Sequence, residues 1–466
     1  MPLVLGVDSS TQSTKAVLVD AADGTVVEQR TAPHPPGTAV DPRAWLRAID
    51  DAAGPLLSRA SAVAVGGQQH GAVMLDADGE PVHDALLWND LRSADAAVEL
   101  VAELGGPQAA ADLTGSVLNA SYTVTKLRWL RDHEPEAAVR VHRVLLPHDY
   151  LTWHLTGRAA GPTTDRGDAS GTGYFDTRHG VWLPALLEQA LGHGAEVPRV
   201  AGPSEVVGEC DGVRVAPGTG DNMAAALGLG LRPGDVAVSI GTSGVASTVA
   251  AEAAADGTGA IAGFADATGR FLPLACTVNA ARILELACRL LGVDNDELAA
   301  LALESVPGAH GLTLLPYLDG ERTPNRPDAS GTLHGLTSAT TRADLARAHV
   351  EGLLFSLADA VDALALVTGQ RAEHLQLIGG AARNPAVRAL APAVFGVAVS
   401  LPDPGEYVAL GAARQAAWAL SGNAEPPEWP TSTTQLPDGP SLPGLRDDYA
   451  LLRNRTTDWT RRKATR

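Results

Sequence analysis

The first residues that could do chemistry lie in a short polar loop near the start of the chain. Asp8 is followed by a run of hydroxyl side chains and then by Lys15. Hydroxyls, backbone N–H groups and a lysine are the partners that phosphate oxygens need, and a single carboxylate suits a magnesium ion that keeps most of its waters. The same residues also fit a polar turn that binds nothing. The loop by itself leaves both interpretations open.

Two apolar, β-branched runs flank this loop, and together they predict a β-hairpin over residues 3–20. The plan recurs over residues 236–249, where Gly241 and Thr242 begin the turn between two further apolar runs. The second copy lies near the middle of the chain. The repetition predicts a duplicated fold in which each half opens with the same hairpin.

A second group of polar residues follows a short buried strand predicted at 62–65. The strand ends in Gly-Gly-Gln-Gln-His-Gly, in which Gln69 and His70 offer hydrogen-bond partners for hydroxyl groups. Ligands of open α/β sheets bind at the carboxyl ends of strands, so this loop is a candidate sugar site. The alternative is a turn whose histidine is satisfied locally. Trp88 ends a later apolar run and could form a pocket wall or simply pack in the core.

The most specific single position is Asp221. It follows a glycine-rich segment, is followed by Asn222, and precedes a helix of very small residues. A carboxylate there could act as a general base at the floor of a cleft, or it could cap the helix. Gly379 and Gly380 also follow a predicted strand and open a helix, so their amides could face a phosphate or an adenine, or form only a tight turn.

Composition limits the classes of partner. The chain has 466 residues, of which 45% are hydrophobic and 19% charged, which predicts a globular protein with room for two domains. The net charge of −19 argues against nucleic acid or an anionic membrane as a partner. Three widely spaced cysteines imply neither a disulfide framework nor a zinc site. We find no signal-peptide pattern or membrane-length apolar run, and expect a cytoplasmic protein.

Taken in order, the motifs resemble those of the FGGY carbohydrate kinases from about Leu3 to about Leu420. The motifs that carry the resemblance are Asp8-Ser-Ser-Thr11, Gly67-Gln-Gln-His70-Gly71, Leu87-Trp-Asn-Asp90, Leu146-Pro-His-Asp-Tyr150, Asp168-Ala-Ser-Gly-Thr172, Gly220-Asp-Asn222, Ser239-Ile-Gly-Thr-Ser-Gly244, Gly320-Glu-Arg-Thr-Pro324 and Gly379-Gly380. The chain departs from many relatives at Ser10 and Ala381, where those relatives have glycine. Both replacements are small residues in loops, so we expect adjustment of the loops rather than loss of function.

The resemblance implies an α/β fold of two actin-like, ribonuclease H-like domains with a central ATP and sugar cleft. The implied domains are residues 1–232 with the sugar site, the first phosphate hairpin and the catalytic acid, residues 233–424 with the nucleotide site, and an irregular C-terminal extension at 425–466. The implied reaction is ATP-dependent phosphorylation of D-xylulose to D-xylulose 5-phosphate. Another pentulose or polyol, such as ribulose, arabitol or glycerol, stays open as the acceptor.

By the same resemblance, Asp221 is the catalytic base and Asp8 the ligand for Mg²⁺. Residues implied to contact the sugar are Gln69, His70, Trp88, Asp221 and Asn222. Residues implied to contact ATP are Thr11, Lys15, Gly241, Thr242, Gly379, Gly380 and Asn384. The expected partners are therefore ATP, Mg²⁺ and a small sugar, without nucleic acid or membrane, and a homodimer is left open.

Other functions fit the sequence less well. A serine hydrolase would need glycine where Val245 follows Gly244, and the dinucleotide-binding and P-loop patterns do not occur. A sugar sensor without enzyme activity on the same fold would normally carry a basic helix-turn-helix segment before the first hairpin. Only five residues precede Gly6, so we expect an enzyme.

Overall fold

The structure is a computed structural model that describes residues 2–440 and 442–460. Within these residues the chain forms two compact units. The first unit contains the chain up to Leu231 with Ala250–Leu272 and Gly405–Thr431, and the second contains Arg232–Val249, Pro273–Pro404 and the described residues from Ser432 onward. The predicted α/β class is confirmed. The predicted domain limits follow chain order, whereas these units are discontinuous, and those limits stay a prediction.

Up to Leu229, the strands and helices in chain order are β1 (Leu3–Ser9), β2 (Ser13–Asp20), β3 (Val26–Pro33), β4 (Ala39–Val40), α1 (Arg43–Ala52), α2 (Gly54–Leu57), β5 (Ala62–Gly67), β6 (Val73–Leu75), β7 (Ala85–Leu86), α3 (Ala94–Glu103), α4 (Pro107–Thr114), α5 (Thr123–His133), α6 (Pro135–Ala138), β8 (Arg143–Leu145), α7 (Pro147–Leu155), β9 (Thr163–Thr164), α8 (Arg166–Ala169), β10 (Phe175–Asp176), β11 (Val181–Trp182), α9 (Pro184–Leu191), β12 (Arg199–Val200), β13 (Gly208–Cys210), β14 (Val213–Val215), β15 (Thr219–Gly220) and α10 (Asp221–Leu229).

The remaining elements are β16 (Asp235–Ile240), β17 (Gly244–Thr248), β18 (Ile261–Ala265), β19 (Phe271–Thr277), α11 (Ala281–Leu291), α12 (Asn295–Glu304), β20 (Thr313–Leu315), β21 (Thr332–His334), α13 (Arg342–Thr368), β22 (His374–Ile378), α14 (Pro385–Phe395), β23 (Ala398–Pro402), α15 (Tyr407–Ser421), β24 (Thr433–Gln435) and α16 (Asp447–Arg455), with short 3-10 helices at Ala309–Gly311 and Gly380–Arg383. In the described part of the chain, no helix is both long enough and apolar enough to cross a membrane.

The main sheet of the first unit has the strand order β13-β14-β5-β1-β2-β3. The predicted hairpin is confirmed, since β1 and β2 pair antiparallel from Leu3 opposite Asp20 to Ser9 opposite Thr14. Strand β5 pairs parallel with β1, and β14 and β15 pair parallel with β5. Strand β1 is an almost continuous apolar run because both of its faces are buried, one against α1 and α7 and the other against α15.

The sheet of the second unit repeats this plan. Strands β16 and β17 form the second predicted hairpin, which is confirmed, and β19 continues the antiparallel meander. Strand β22 pairs parallel with β16, and β23 pairs parallel with β22. The order β19-β17-β16-β22-β23 therefore matches the order β3-β2-β1-β5-β14 of the first unit.

The region after residue 424 differs from the irregular extension predicted for it. Strand β24 pairs antiparallel with β23, and α16 is anchored because Arg446 and Arg453 form ion pairs with Asp359 on α13. The sequence did not reveal this order, because the segment is rich in proline, serine and threonine and its partners lie far away in the chain. The basic end of the tail, residues 461–466, lies outside the described residues.

Helices α10 and α15 cross at very short range in the first unit. A Cβ atom at Gly411 would overlap the carbonyl oxygen of Ala224, and one at Gly228 would overlap the carbonyl oxygen of Tyr407. Only glycine permits this approach of backbone to backbone. The small residues after Asp221 thus serve the packing that fixes where α10 begins.

Candidate functional site

Polar loops of the first unit begin at one edge of its sheet. The parallel strands β1, β5 and β15 end in register, with Ser9 and Gly220 each opposite Gly67. This edge therefore carries the loop after Asp8, the Gln-Gln-His loop and the start of α10 at Asp221. Carboxyl ends of parallel strands are where open α/β sheets bind ligands.

The side chains of Asp221, Asn222 and Gln69 are linked by hydrogen bonds. Asn222 Nδ2 donates to Gln69 Oε1 at 2.8 Å and to Asp221 Oδ1 at 3.1 Å, and the Asn222 backbone N–H donates to Asp221 Oδ1 at 2.8 Å. Gln69 is 3% exposed, and its Nε2 atom has no hydrogen-bond partner among the described residues. A buried donor without a protein partner beside a carboxylate points to a polar ligand.

Asp221 is the first residue of α10, and Gly220 occupies the cap position before it. Its Oδ1 atom accepts from the backbone N–H of Asn222 in the first turn of α10, so the carboxylate also satisfies a helix N–H group, as the capping alternative expects. Burial, together with the charges of Asp8 and Asp168, raises the pKa of Asp221 to about 7. A carboxyl group with a pKa near neutrality is suited to accept a proton during a reaction.

Asp8 is 4% exposed and lies where β1 runs into the hairpin loop. Burial raises the pKa of Asp8 to about 6, with the nearby charge of Glu406 acting in the same direction, against a hydrogen bond from Ser10 and the charge of Lys15. Ser10 Oγ donates that bond to Asp8 Oδ1. The edge thus concentrates carboxylates that a divalent cation would stabilise in their charged forms.

The predicted phosphate-binding residues of the first hairpin have protein partners. Lys15 Nζ forms an ion pair with Glu406 Oε2 at 2.6 Å, and both side chains are about one-third exposed. Trp88 Nε1 donates to Thr11 Oγ1 at 2.9 Å, so the predicted pocket wall meets the phosphate loop directly. Trp88 is 42% exposed, which leaves indole surface open to a ligand.

His70 lies on the same loop as Gln69 and is held from several sides. Its Nδ1–H donates to the carbonyl oxygen of Gly171 at 2.6 Å, and its ring packs 4.9 Å from Tyr122 and 5.6 Å from Phe264, measured between ring centroids. Its backbone has a φ of 68°, which is uncommon outside glycine and is found often at ligand sites.

In the second unit, the predicted nucleotide residues gather at the corresponding edge of that sheet. Ser239 on β16 pairs with Ile378 on β22, so the turn at Gly241 and the turn at Gly379 leave neighbouring strand ends. Gly379 has a φ of 94°, and a Cβ there would lie 2.6 Å from the Ile240 carbonyl oxygen. Gly380 has open space where a side chain would be, and Thr242 is exposed.

Both polar atoms of the Asn384 side chain form hydrogen bonds within the protein. Its Oδ1 atom caps α14 by accepting from the backbone N–H groups of Ala386 at 2.9 Å and Val387 at 3.1 Å. Its Nδ2 atom donates to Asn295 Oδ1 at 3.0 Å. The side chain therefore shapes the loop after Gly380, and a contact with nucleotide stays a prediction.

Sequence reasoning missed Glu406 and gave no defined role to Asp168. Glu406 lies 391 positions from Lys15, and nothing in its neighbourhood in the chain identifies its partner. Asp168 was identified only as the first residue of the motif Asp168-Ala-Ser-Gly-Thr172. It lies near Asp221 because α8, which carries it, contacts β15 through Asp165 and Thr219, and no local pattern reveals this contact.

Known families and proteins resemble this chain over nearly its whole length. The model for the FGGY family of carbohydrate kinases, N-terminal domain, matches residues 3–228, and the C-terminal domain model of that family matches residues 236–420. The two matches cover most of the chain and fall on either side of the start of the second hairpin.

Similar individual proteins agree with the family match. The chain is 48% identical over 475 residues to a xylulose kinase of Streptomyces coelicolor, covering 98% of this chain and 95% of the relative. It is 47% identical over 471 residues to a xylulose kinase of Streptomyces rubiginosus, covering 97% and 94%. Among solved structures, the xylulose kinase from Bifidobacterium adolescentis is 43% identical with a TM-score of 0.92, covering 97% of this chain and 99% of that one.

Proposed function

This chain belongs to the FGGY family of carbohydrate kinases, and on that premise we propose that it transfers the γ-phosphate of ATP to D-xylulose, giving D-xylulose 5-phosphate and ADP. Sugar kinases of this family use ATP as the phosphoryl donor. The observation that carries the proposal is the group formed by Gln69, Asp221 and Asn222, in which a buried amide donor without a protein partner among the described residues lies beside a carboxylate with a pKa near 7.

Asp221 is the proposed general base. Its carboxylate takes the proton from a terminal hydroxyl of the sugar as that oxygen forms a bond to the γ-phosphorus. The bond between the γ-phosphorus and the bridging oxygen of ADP breaks in the same step. Kinases gain most of their rate from positioning and from stabilising charge, so the base must be held firmly at the reacting hydroxyl.

Gln69, His70 and Asn222 are the proposed hydrogen-bonding partners of the other sugar hydroxyls. Gln69 Nε2 has the donor capacity for this role, since only its Oε1 atom is used within the described part of the chain. Trp88 offers an exposed indole against which the carbon skeleton of a sugar can pack. This set of residues would recognise the positions of the hydroxyl groups, which is how pentuloses of different configuration, such as xylulose and ribulose, are distinguished.

Asp8 is the proposed ligand of Mg²⁺. The fit is chemical: Asp8 is a buried carboxylate whose pKa is raised by burial and by the charge of Glu406, in a place where further negative charge from Asp221 is present. A hard divalent cation prefers such oxygen ligands and would offset this excess charge. When bound, Mg²⁺ neutralises charge on the phosphates of ATP.

The proposed phosphate contacts of the first hairpin are Thr11 and Lys15. Lys15 can exchange Glu406 for a phosphate, because the pair is partly exposed and a phosphate offers a stronger charge. In the second unit, the proposed nucleotide contacts are Gly241, Thr242, Gly379 and Gly380, with Asn384 acting through the loop that it caps. Open backbone at Gly380 supports close approach of a ligand.

The direct test is an ADP-release assay across D-xylulose, D-ribulose, D-arabitol and glycerol. We expect D-xylulose to give the highest kcat/KM and Mg²⁺ to be required. A higher value for another sugar would correct the substrate while leaving the kinase assignment in place. A flat response across every sugar would contradict both. Light scattering of the purified protein tests whether it forms a homodimer. The cytoplasmic location stays a prediction.

A further inference from the structure

A cluster of buried ionisable side chains in the first unit contains none of the residues proposed to contact the substrates. It consists of His148, Asp149, Asp165 and Asp168, each at most 3% exposed. His148 Nδ1 lies 2.5 Å from Asp168 Oδ2, and its Nε2 lies 3.3 Å from Asp149 Oδ1, an ion-pair contact rather than a hydrogen bond. The ring therefore faces a carboxylate at each nitrogen, which is the arrangement of a protonated imidazolium.

A metal ion is the other occupant that these groups could suggest, because donor atoms of His148, Asp149 and Asp168 lie within 4.8 Å of one another. The distances favour an ion-pair network. Two ligands of one tetrahedral zinc ion, each at about 2.1 Å from the metal, would be about 3.4 Å apart, whereas His148 and Asp168 are 2.5 Å apart. Burial alone would lower the pKa of His148, but the surrounding carboxylates, led by Asp149, raise it to about 9.

The cluster is connected to the residues directly before Asp221. Asp165 Oδ2 accepts a hydrogen bond of 2.7 Å from Thr219 Oγ1, and Asp165 also caps α8, which carries Asp168. Asp168 Oδ1 lies 3.1 Å from the position that a Cβ atom would take at Gly220. The network therefore touches each of the two residues that lead into α10.

His148 packs against the end of β5 and against Gly218, which directly precedes β15. A Cβ at Gly67, the last residue of β5, would lie 2.8 Å from His148 Cβ, and a Cβ at Gly218 would lie 2.6 Å from His148 Cδ2. A side chain at Gly67 would meet the Cβ atom and backbone of His148, and a side chain at Gly218 would meet its ring. His148 therefore fills the space between the end of β5 and the approach to β15.

We propose that His148, Asp165, Asp168 and Thr219 form a positioning network for Asp221. His148 balances the charge of Asp168 and fills the space beneath β15, and the Thr219 hydroxyl ties the strand to Asp165. The inference rests on the proposed role of Asp221 as the base. Phosphoryl transfer is sensitive to the placement of the base, since an error of about 1 Å costs about 100-fold in rate, whereas hydrogen bonds that only bind a sugar tolerate more displacement.

The link through Thr219 gives the sharpest experiment. Thr219→Val keeps the shape of the side chain and removes the hydroxyl, while Thr219→Ser keeps the hydroxyl. We expect kcat of Thr219→Val to fall about 10- to 100-fold with the sugar KM within about threefold, and Thr219→Ser to stay within about threefold of the wild type. Equal values of kcat for the two variants, or an effect on KM alone, would overturn the proposal.

Amide hydrogen exchange of residues 219–224 provides a readout that needs no activity. We expect faster exchange in Thr219→Val than in the wild type and Thr219→Ser, and unchanged exchange would contradict the link. If the wild type phosphorylates no sugar, the proposed function fails, and this measurement still decides whether the network holds the start of α10.

His148→Gln tests the imidazolium, with His349→Gln as its matched control. His349 is also buried, at 4% exposed, and its Nδ1–H donates to the Leu345 carbonyl oxygen at 2.7 Å in the second unit. Both variants should lower the melting temperature, but only His148→Gln should lower kcat when both are assayed well below their melting temperatures. Equal loss of kcat, or a normal kcat in folded His148→Gln, would overturn the role of His148.

Discussion

Asp221 carries the most specific expectation for a single residue. Asp221→Asn keeps the shape of the side chain and an oxygen that can accept from the Asn222 backbone, but it cannot take up a proton at neutral pH. We expect kcat to fall by about 10²- to 10⁴-fold, the usual contribution of a general base, with the sugar KM changed less than about threefold. Steady-state kinetics measures both, and near wild-type turnover would remove Asp221 from the role of base.

The pH dependence of the reaction follows from the same residue. The base is active when deprotonated, and the pKa of Asp221 is raised to about 7. We therefore expect kcat/KM to fall about tenfold per pH unit below pH 7. This parameter is the one to follow, because its pH dependence reports the pKa values of the free enzyme. A rate profile from pH 5 to 9 measures the fall, and the residual activity of Asp221→Asn should lose it. An unchanged acid limb in that variant would assign the titration to another group, such as Asp8.

Replacement of Lys15 should weaken the binding of ATP without changing the binding of the sugar. A charge-assisted hydrogen bond is worth about 1.5–3 kcal/mol, so Lys15→Met should raise the KM for ATP at least about tenfold while the sugar KM stays constant. Arg30→Met is a matched control, because Arg30 is an exposed cation on β3 of the same sheet. An equal rise in the KM for ATP in the two variants would mean that ATP responds to the total positive charge of the protein rather than to a contact with Lys15.

At the scale of elements, the crossing of α10 and α15 determines where the base is held. Gly411→Ala would normally favour a helix, yet here the added methyl group meets the carbonyl oxygen of Ala224. We expect the variant to lose about 1–3 kcal/mol of unfolding free energy, as overpacked sites do, and to lose activity because α10 begins with Asp221.

Gly54→Ala is the control for this crossing. Gly54 begins α2 in the same unit, and a Cβ atom added there would have nothing within 4 Å, so its replacement should be neutral or slightly stabilising. Urea unfolding of the two variants measures the difference. A Gly411→Ala protein as stable as Gly54→Ala would show that the helices separate without cost.

The sequence predicted those elements whose patterns are local. Apolar, β-branched runs on either side of a turn of small polar residues predicted both hairpins, and these form as expected. The strand β24 was not predicted. Strand β24 is fully exposed and has no apolar alternation, so only its pairing with β23 identifies it.

At the scale of the whole molecule, the proposed sites predict that sugar binding and turnover can be separated. Chelation of Mg²⁺ should abolish sugar-dependent ADP release, because the phosphate charge would no longer be offset. Sugar binding should persist, since the proposed contacts of Gln69 and Asn222 need no metal. Titration calorimetry with D-xylulose in the presence of EDTA measures the binding. Turnover that continues without Mg²⁺ would contradict the role of Asp8.

The sequence did not predict which segments of the chain pack together in one unit. Residues 405–431 follow the second hairpin by more than a hundred positions, yet α15 packs against β1 and β5 in the first unit. The alanine-rich helix α15 packs against β1, β5 and α10. Small residues of this kind do not indicate in the sequence which element they will contact. A division that follows chain order cannot show this return of the chain.

By itself the sequence determined the types of chemical group and their order: a carboxylate and hydroxyls in the first loop, amides and a histidine after β5, and an acid at the start of α10. These are local features, because turns, strands and caps depend on neighbouring residues. The tertiary structure decided the partners. Lys15 with Glu406, Gln69 with Asn222, and Thr219 with Asp165 are pairs that long-range strand register and helix packing bring together, and spacing in the chain does not encode them.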